Sequence, residues 1–157
     1  GRAHVHHFTM GGSKDGNITH YRLEVLADSG AYTRLGAFLP MFTLIMSSGV
    51  YDIPNIETGA RSVVTNTTPT EAYRGAGRPE AALTIERAVD MFAVEIGMDA
   101  AEIRRKNYLK ASDFPVSTAV GTEYDSGDYE KSLELALDAA GYSDLRDEQT
   151  RRRDTET

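Results

Sequence analysis

The pair Asp15-Gly16 constrains this chain more than any other feature. It stands inside Lys14-Asp15-Gly16-Asn17, and the residues on either side, from Arg2 to Asp28, form two runs of alternating apolar and polar side chains. An Asp-Gly pair between such runs marks a β-hairpin, because a two-residue turn that matches strand twist needs positive φ at both central positions. A two-residue turn at Asp15-Gly16 sets Phe8 opposite Leu23 and Met10 opposite Tyr21 on one face. It sets His7 opposite Glu24 and Thr9 opposite Arg22 on the other. Each face is self-consistent in that register, which supports it.

Further along, residues 37–47 are apolar on all sides and carry Pro40, which predicts a buried helix or a turn-rich segment. Residues 56–66 alternate weakly around Val63-Val64-Thr65 and read as a strand, and Pro69 then breaks the chain. The clearest helix is predicted over residues 79–96. Pro79 suits its first turn, Glu80 suits the positive end of its dipole, and Gly97 suits the left-handed position after it. Ile85, Val89, Phe92 and Ile96 form one stripe, which Leu83, Met91 and Val94 widen into a mostly buried helix. Asp99-Ala-Ala-Glu102 has the spacing of a capping box and opens a short helix carrying Arg104, Arg105 and Lys106. A long loop is expected over residues 112–127, and an amphipathic helix over residues 128–140 stops at Gly141. The fold class is therefore α/β, in the mixed α+β sense, with a hairpin and a further strand packed with helices.

Composition excludes several functions. The longest low-polarity run, residues 35–50, is broken by Pro40, Thr43, Ser47 and Ser48, which rules out a membrane span in it. With no cysteine there is no disulfide framework, thiolate metal site or cysteine nucleophile, and a cytoplasmic setting is expected. A net charge of −7 with scattered basic residues argues against nucleic acid. The dense run Arg151 to Arg153 lies among Asp147, Glu148, Asp154 and Glu156 and reads as a solvated helix end or tail. The chain starts inside a strand-like alternation and ends in a polar stretch, so it is expected to be an excerpt of a longer protein. Residues 1–143 are assigned to one domain and residues 144–157 to a polar tail or truncated helix.

Chemistry is expected in residues 70–81, where a glycine-containing loop leads from a strand to a helix N-terminus. Unpaired amides and the dipole there favour an anion or an oxygen carrying developing negative charge. Gly75 and Gly77 allow close backbone approach, and Arg74 and Arg78 add planar donor forks. The spacing fits neither a phosphate loop nor a dinucleotide fingerprint, so a glycine turn with arginines on its rim stays open beside the anion-site reading. His4 and His6 share a strand face while His7 points away, so these three cannot chelate one ion and read as polar strand positions, His7 near Glu24. Glu123, Asp125 and Asp128 lack the spacing of a calcium loop, and capping by Ser126 or Asp128 explains them. No metal ligand is assigned.

A resemblance emerges from motifs in order along nearly the whole chain. They are Asp15-Gly16, Leu23-Glu-Val-Leu-Ala-Asp-Ser-Gly-Ala-Tyr32, Thr65-Asn66, Ala72-Tyr-Arg-Gly-Ala-Gly-Arg-Pro-Glu-Ala81, Ile85-Glu86-Arg87, Arg104-Arg105-Lys106-Asn107, Phe114-Pro115 and Tyr124-Asp-Ser-Gly-Asp-Tyr129. The chain resembles the molybdenum hydroxylases, specifically the molybdopterin-binding large subunit of the xanthine dehydrogenase and aldehyde oxidase superfamily, of the aerobic carbon monoxide dehydrogenase large-subunit-like kind. That resemblance implies an α/β fragment of a molybdopterin-binding domain. It implies an oxidoreductase that hydroxylates its substrate with oxygen from water, using a molybdenum-molybdopterin cofactor in dinucleotide form. FAD and 2Fe-2S clusters are then expected on partner subunits or domains, in a dimer of heterotrimers.

By the same resemblance Arg74 is the catalytic residue, facing the substrate and stabilising negative charge as hydride leaves carbon. Gly75, Ala76 and Gly77 contact the cofactor. The family's glycine-phenylalanine-glycine segment and its general-base glutamate fall outside this chain, so neither Glu71 nor Glu80 is given the base role, and the chain alone is expected to be inactive and free of molybdenum. Family members that oxidise carbon monoxide carry, directly after the loop arginine, a cysteine that binds copper. Here that position is Gly75, which implies a copper-free enzyme acting on an aldehyde or an aromatic N-heterocycle. Two other readings compete: a non-catalytic excerpt or degenerate paralogue that serves as a folding or assembly module, and a small self-sufficient anion-binding domain.

Overall fold

The computed structural model describes residues 3–155. Arg2, Glu156 and Thr157, named above, lie outside the described residues. Strands β1 (His4–Gly12) and β2 (Ile18–Gly30) pair antiparallel in the expected register, with Phe8 opposite Leu23, Met10 opposite Tyr21, His7 opposite Glu24 and Thr9 opposite Arg22. The turn differs from expectation. The Gly16 amide donates to the Ser13 carbonyl and the Ser13 amide to the Asn17 carbonyl, both at 2.9 Å, so the loop holds Lys14, Asp15 and Gly16. Of these only Gly16 has positive φ, at 93°. The longer turn is offset by an irregularity at Gly11/Gly12, where Gly12 lies opposite Ile18 but Gly11 lies opposite His20. The cause is tertiary, because the Gly16 carbonyl and the Ile18 amide are both taken by the Asn107 side chain.

β2 also pairs parallel with β3 (Asn55–Val64), giving the sheet order β1-β2-β3. Parallel neighbours need a crossover. Residues 31–54 provide it through a 3-10 turn, Leu35–Phe38, and helix α1 (Leu39–Ile45), which holds Pro40 in its first turn. Pro40 lacks an amide at a position where an amide would have no helical partner, so it starts the helix instead of breaking it.

Helix α2 (Arg78–Ile96) begins one residue before the expected Pro79 and ends at left-handed Gly97. It presses Ile85, Ala88, Val89 and Ala93 onto the sheet face formed by Tyr21, Leu23, Val25 and Ala27, and Ala81 is buried in its first turn. Leu83, Met91 and Val94 were expected to widen that buried stripe. They instead point outward, with Leu83 75% and Val94 82% exposed. Small alanines share the core positions with Ile85 and Val89, while Met91 and Val94 stay exposed and Leu83 lines a groove beside His4, His6 and Phe8 of β1.

Asp99 caps helix α3 (Ala100–Asn107), accepting from the Ala101 amide at 2.8 Å and the Glu102 amide at 3.3 Å. The capping box is only half formed, since the Glu102 carboxylate pairs with Arg105. Residues 112–127, expected as a loop, contain a small hairpin of β4 (Val116–Ser117) and β5 (Glu123–Tyr124). It docks on the crossover through Thr122 Oγ1 to the Ile45 carbonyl and Tyr124 Oη to the Gly49 carbonyl. Helix α4 (Tyr129–Ala140) is capped by Asp128 and ends at left-handed Gly141, and α5 (Tyr142–Thr155) shows the polar end to be helical. Among the described residues no helix is long and apolar enough to cross a membrane.

Two polar junctions join these elements. Arg104 binds Glu86 through Nε at 2.9 Å and Nη2 at 2.7 Å and reaches Asp90 at 2.9 Å, while Tyr51 Oη donates to Glu86. Asn107, 5% exposed, accepts from the Ile18 amide and donates to the Gly16 and Ile103 carbonyls, each at 2.8 Å. Replacing Asn107 by Ala strands a buried amide and a buried carbonyl, so Asn107→Ala is expected to cost about 2–4 kcal/mol. The exposed Asn55, which donates to the Thr19 carbonyl at 3.0 Å, serves as the control, and Asn55→Ala should cost under about 1 kcal/mol. Urea unfolding of both variants checks the contrast, and equal losses would remove Asn107 from its junction role.

Candidate functional site

The expected loop is built from the strand end outward. Past β3 the chain folds back on the end of β2, held by the Asp28 carboxylate. That group accepts from the Gly30 amide at 2.9 Å, Thr65 Oγ1 at 2.6 Å and Thr67 Oγ1 at 2.9 Å. These donors hold the Asp28 carboxyl below the usual aspartate range, the Thr65 hydroxyl foremost. A carboxyl depressed in the native state stabilises the fold above its unfolded pKa and loses that contribution as the pH falls through the native value. The Thr70 amide then donates to the Ser29 carbonyl and the Thr70 hydroxyl to the Asp28 carbonyl, at 3.3 and 3.2 Å. By this point the chain has crossed onto α1.

There it makes a tight double turn. The Ala76 amide donates to the Tyr73 carbonyl and the Arg78 amide to the Gly75 carbonyl, both at 2.9 Å. Gly75, Ala76 and Gly77 all have positive φ, at 103°, 36° and 92°. Ala76 is the sole non-glycine residue with positive φ among the described residues, a conformation that costs on the order of 1 kcal/mol and persists where surrounding structure imposes it. What imposes it here is α1: a Cβ at Gly77 would lie 2.6 Å from the Thr43 nitrogen and 2.7 Å from Phe42 Cβ. Gly77 is buried, Gly75 and Ala76 are half-buried, and Arg74 is exposed.

The donors of the loop lack protein partners among the described residues. Neither Arg74 nor Arg78 makes an ion pair or a side-chain hydrogen bond among the described residues, and the amides of Gly75 and Gly77 have no acceptor among them. Tyr73, Phe38 and Met41, on the loop and the helical segment beneath it, are exposed apolar residues. The arrangement is a pre-shaped backbone loop with a free guanidinium, suited to an anionic group.

The other candidates are not brought to it. Glu71 lies 3.9 Å from Arg34, and Glu80 lines a groove with His4 and His6. His6 Nδ1 lies 2.5 Å from Thr84 Oγ1, whose proton goes to the Glu80 carbonyl at 2.8 Å. Burial and the neighbouring His4 hold the His6 imidazole below its ordinary pKa. Among the described residues no group of three histidines or carboxylates is placed to hold a metal ion. Sequence reasoning missed the floor of the site, Phe42 and Thr43, and the Asp28 clasp. The spaced hydroxyls Thr65, Thr67 and Thr70 after a strand were the available signal for the clasp, while nothing local marks the floor.

Residues 1–108 match the family model described as the molybdopterin cofactor-binding domain. The chain is 41% identical over 148 residues to the carbon monoxide dehydrogenase large chain of Hydrogenophaga pseudoflava, covering 92% of this chain and 18% of that one. The fold is similar to a Cu,Mo carbon monoxide dehydrogenase, with a TM-score of 0.86, 34% identity and coverage of 96% and 20% of the two chains. It is also similar to quinoline 2-oxidoreductase from Pseudomonas putida 86, with a TM-score of 0.87, 25% identity and the same coverage. The chain thus spans about a fifth of the length of these relatives.

The wedging of Gly77 against α1 yields a comparative prediction. Gly97 also has positive φ, at 72°, but nothing lies within 4 Å of a Cβ there. Gly97→Ala should cost about 1 kcal/mol from the backbone alone. Gly77→Ala should cost about 2–4 kcal/mol, because the methyl group also meets the backbone of Phe42 and Thr43. Denaturant midpoints measure both, and a Gly77 variant no worse than the Gly97 variant would show that α1 does not seat the loop.

Proposed function

The chain belongs to the molybdopterin cofactor-binding domain family, and we propose that it sets the loop of Arg74, Gly75, Ala76 and Gly77 beside molybdenum in a copper-free hydroxylase of aldehydes or aromatic N-heterocycles. The observation that carries this reading is the loop itself, a backbone already bent into three left-handed residues with an unpaired arginine at its edge. The family match includes the whole loop. The residues fit the cofactor: two amides without acceptors among the described residues and a free cation suit an anionic, oxygen-rich group.

When bound, the cofactor supplies the two-electron acceptor for the oxidation, with water as the oxygen source. The protein's part is orientation and charge. Arg74, being exposed and unpaired, is free to present its planar fork to a carbonyl oxygen or ring nitrogen and to stabilise negative charge that develops there. The backbone from Gly75 to Gly77 packs the cofactor, and α1 fixes that backbone so that binding need not order it. The general base lies outside these 157 residues. In this reading residues 1–143 belong to the cofactor-binding domain and residues 144–157 extend from it. FAD and 2Fe-2S clusters on partner subunits, a dinucleotide form of the cofactor and a dimer of heterotrimers complete it.

The copper-free part rests on Gly75. Two of the relatives above are carbon monoxide dehydrogenases, one of them a Cu,Mo enzyme. Copper held by the chain directly after Arg74 would need a thiolate there, and this chain has no cysteine. A side chain at this position also faces a φ of 103° and a Cβ only 2.8 Å from Pro79 Cγ and Cδ.

Two outcomes test the reading in the complete enzyme. Arg74→Lys should lower kcat by well over tenfold with molybdenum content nearly unchanged, since lysine keeps the charge and loses the fork, and removal of a transition-state donor commonly costs on the order of 100-fold. Lost molybdenum with unchanged turnover per metal would make Arg74 a scaffold residue. Assays with carbon monoxide, aldehydes and N-heterocycles, beside metal analysis, should find organic substrates preferred and no copper. One copper per molybdenum, or carbon monoxide oxidised as fast as the best organic substrate, would defeat the copper-free reading.

A further inference from the structure

The groove between β1 and α2 holds a pair of histidines for which the cofactor loop has no use. His4 and His6 stand two residues apart on β1, so both side chains leave the sheet on the α2 side, next to Phe8. Both are half-buried. Their ring centroids lie 5.6 Å apart at an interplanar angle of 31°, and His6 Nε2 is 3.4 Å from His4 Nδ1. With Glu80, Leu83, Thr84 and Arg87 they line a groove of about 450 Å³.

Hydrogen bonding decides which nitrogen of His6 carries the proton. Thr84 Oγ1 lies 2.5 Å from His6 Nδ1, and its own proton goes to the Glu80 carbonyl at 2.8 Å. A hydroxyl has one proton, so Thr84 can only accept from the ring, and in neutral His6 the lone pair is left on Nε2. That lone pair faces His4. Metal-binding imidazoles are held in the same way, with one nitrogen donating to a fixed acceptor and the other turned to the ion. Without metal, His4 Nδ1–H donates to the His6 lone pair. A metal ion takes the place of that proton, which moves to the Nε2 of His4.

The separation selects the ion. Two imidazole nitrogens bound to a tetrahedral zinc ion at about 2.0–2.1 Å are about 3.3–3.4 Å apart. Neighbouring ligands of a square-planar ion at the same bond length are only about 2.8–3.0 Å apart. The observed 3.4 Å fits the tetrahedral case. Glu80 and Arg87 bring opposite charges to the groove, so attraction rests on the two lone pairs and not on a net field. We propose that His4 Nδ1 and His6 Nε2 bind a zinc ion, apart from the loop of Arg74 to Gly77, with Thr84 orienting His6 and water completing the tetrahedron. Among the described residues no third histidine or carboxylate is placed to join them, so the site is an exchangeable one.

Zinc titration of the complete enzyme against a chromophoric chelator tests the proposal. His4→Gln and His6→Gln should each lose one zinc equivalent relative to the unaltered enzyme. Thr84→Val keeps both ligands but removes the acceptor that orients His6, and it should weaken binding by about 10–100-fold. Thr84→Ser keeps that acceptor and should retain the affinity. Labelling of imidazoles with diethyl pyrocarbonate, read residue by residue, gives a second measurement that needs no variant. Zinc should protect His4 and His6 and leave the exposed His7 and His20 labelled at an unchanged rate. Equal zinc binding by the unaltered enzyme and both histidine variants would overturn the proposal, as would labelling of His4 and His6 that zinc does not slow. His4 and His6 that resist the reagent in the zinc-free enzyme would mean a groove closed to ions, and would overturn it as well. Unchanged affinity in Thr84→Val would remove the orienting role of Thr84.

Discussion

One residue at the end of α3, Asn107, joins that helix to the hairpin and to the chain just before β3, parts that are far apart in sequence. The Asn107 side chain takes the amide of Ile18 at the start of β2, the carbonyl of Gly16 in the hairpin turn and the carbonyl of Ile103 one helical turn back. Its own backbone carbonyl accepts from the Asp52 amide at 2.8 Å, just before β3. Both ends of the sheet's parallel step are therefore held by one residue. Its side chain satisfies three of its four bonding positions in a site sealed from water, where an unmet donor or acceptor is expensive. One turn earlier Arg104 fixes α2 through Glu86 and Asp90 and, through Glu86, the buried Tyr51. The run Arg104-Arg105-Lys106-Asn107 thus serves the scaffold, although it was first noticed as part of a family pattern.

From that frame the position of the loop follows. A parallel β2-β3 step forces a long crossover, and the crossover contributes α1. The Asp28 clasp then turns the chain after β3 back over α1, whose Phe42 and Thr43 leave no room for a side chain at Gly77. The site is shaped by contacts made during folding, and its donors are left without partners among the described residues. Tyr73 on the loop and Phe38 and Met41 of the crossover are left exposed.

What could be read from the sequence divides along the range of the forces involved. The hairpin register was legible because one-residue slips invert both faces at once, and it survived even though the turn was misjudged. The turn itself depends on Asn107, which lies about ninety residues away and leaves no local trace. Helix α2 was legible at both ends from Pro79 and Gly97 and along its central stripe of Ile85, Val89, Phe92 and Ile96, but not at the flanks, where alanines are buried and Leu83, Met91 and Val94 stay exposed. Local chemistry, glycines and arginines at a helix start, singled out residues 70–81 as a candidate, and the narrower choice of Arg74 to Gly77 came from the family pattern. The floor beneath it and the parallel pairing of β3 are long-range facts that no short motif encodes.

The contact between position 75 and the ring of Pro79 bears on how such sites diverge. A Cβ at position 75 meets that ring at 2.8 Å, and the ring is rigid, so a side chain cannot be added there while Pro79 and the left-handed backbone remain. The two positions are epistatic. A lineage that moved between a bare position 75 and one bearing a metal-binding side chain would pass more easily by relaxing the helix start first, since that order avoids a clashing intermediate. Substitutions at 75 and 79 should then covary across relatives, with the identity of residue 79 recording which side of that divide a sequence occupies.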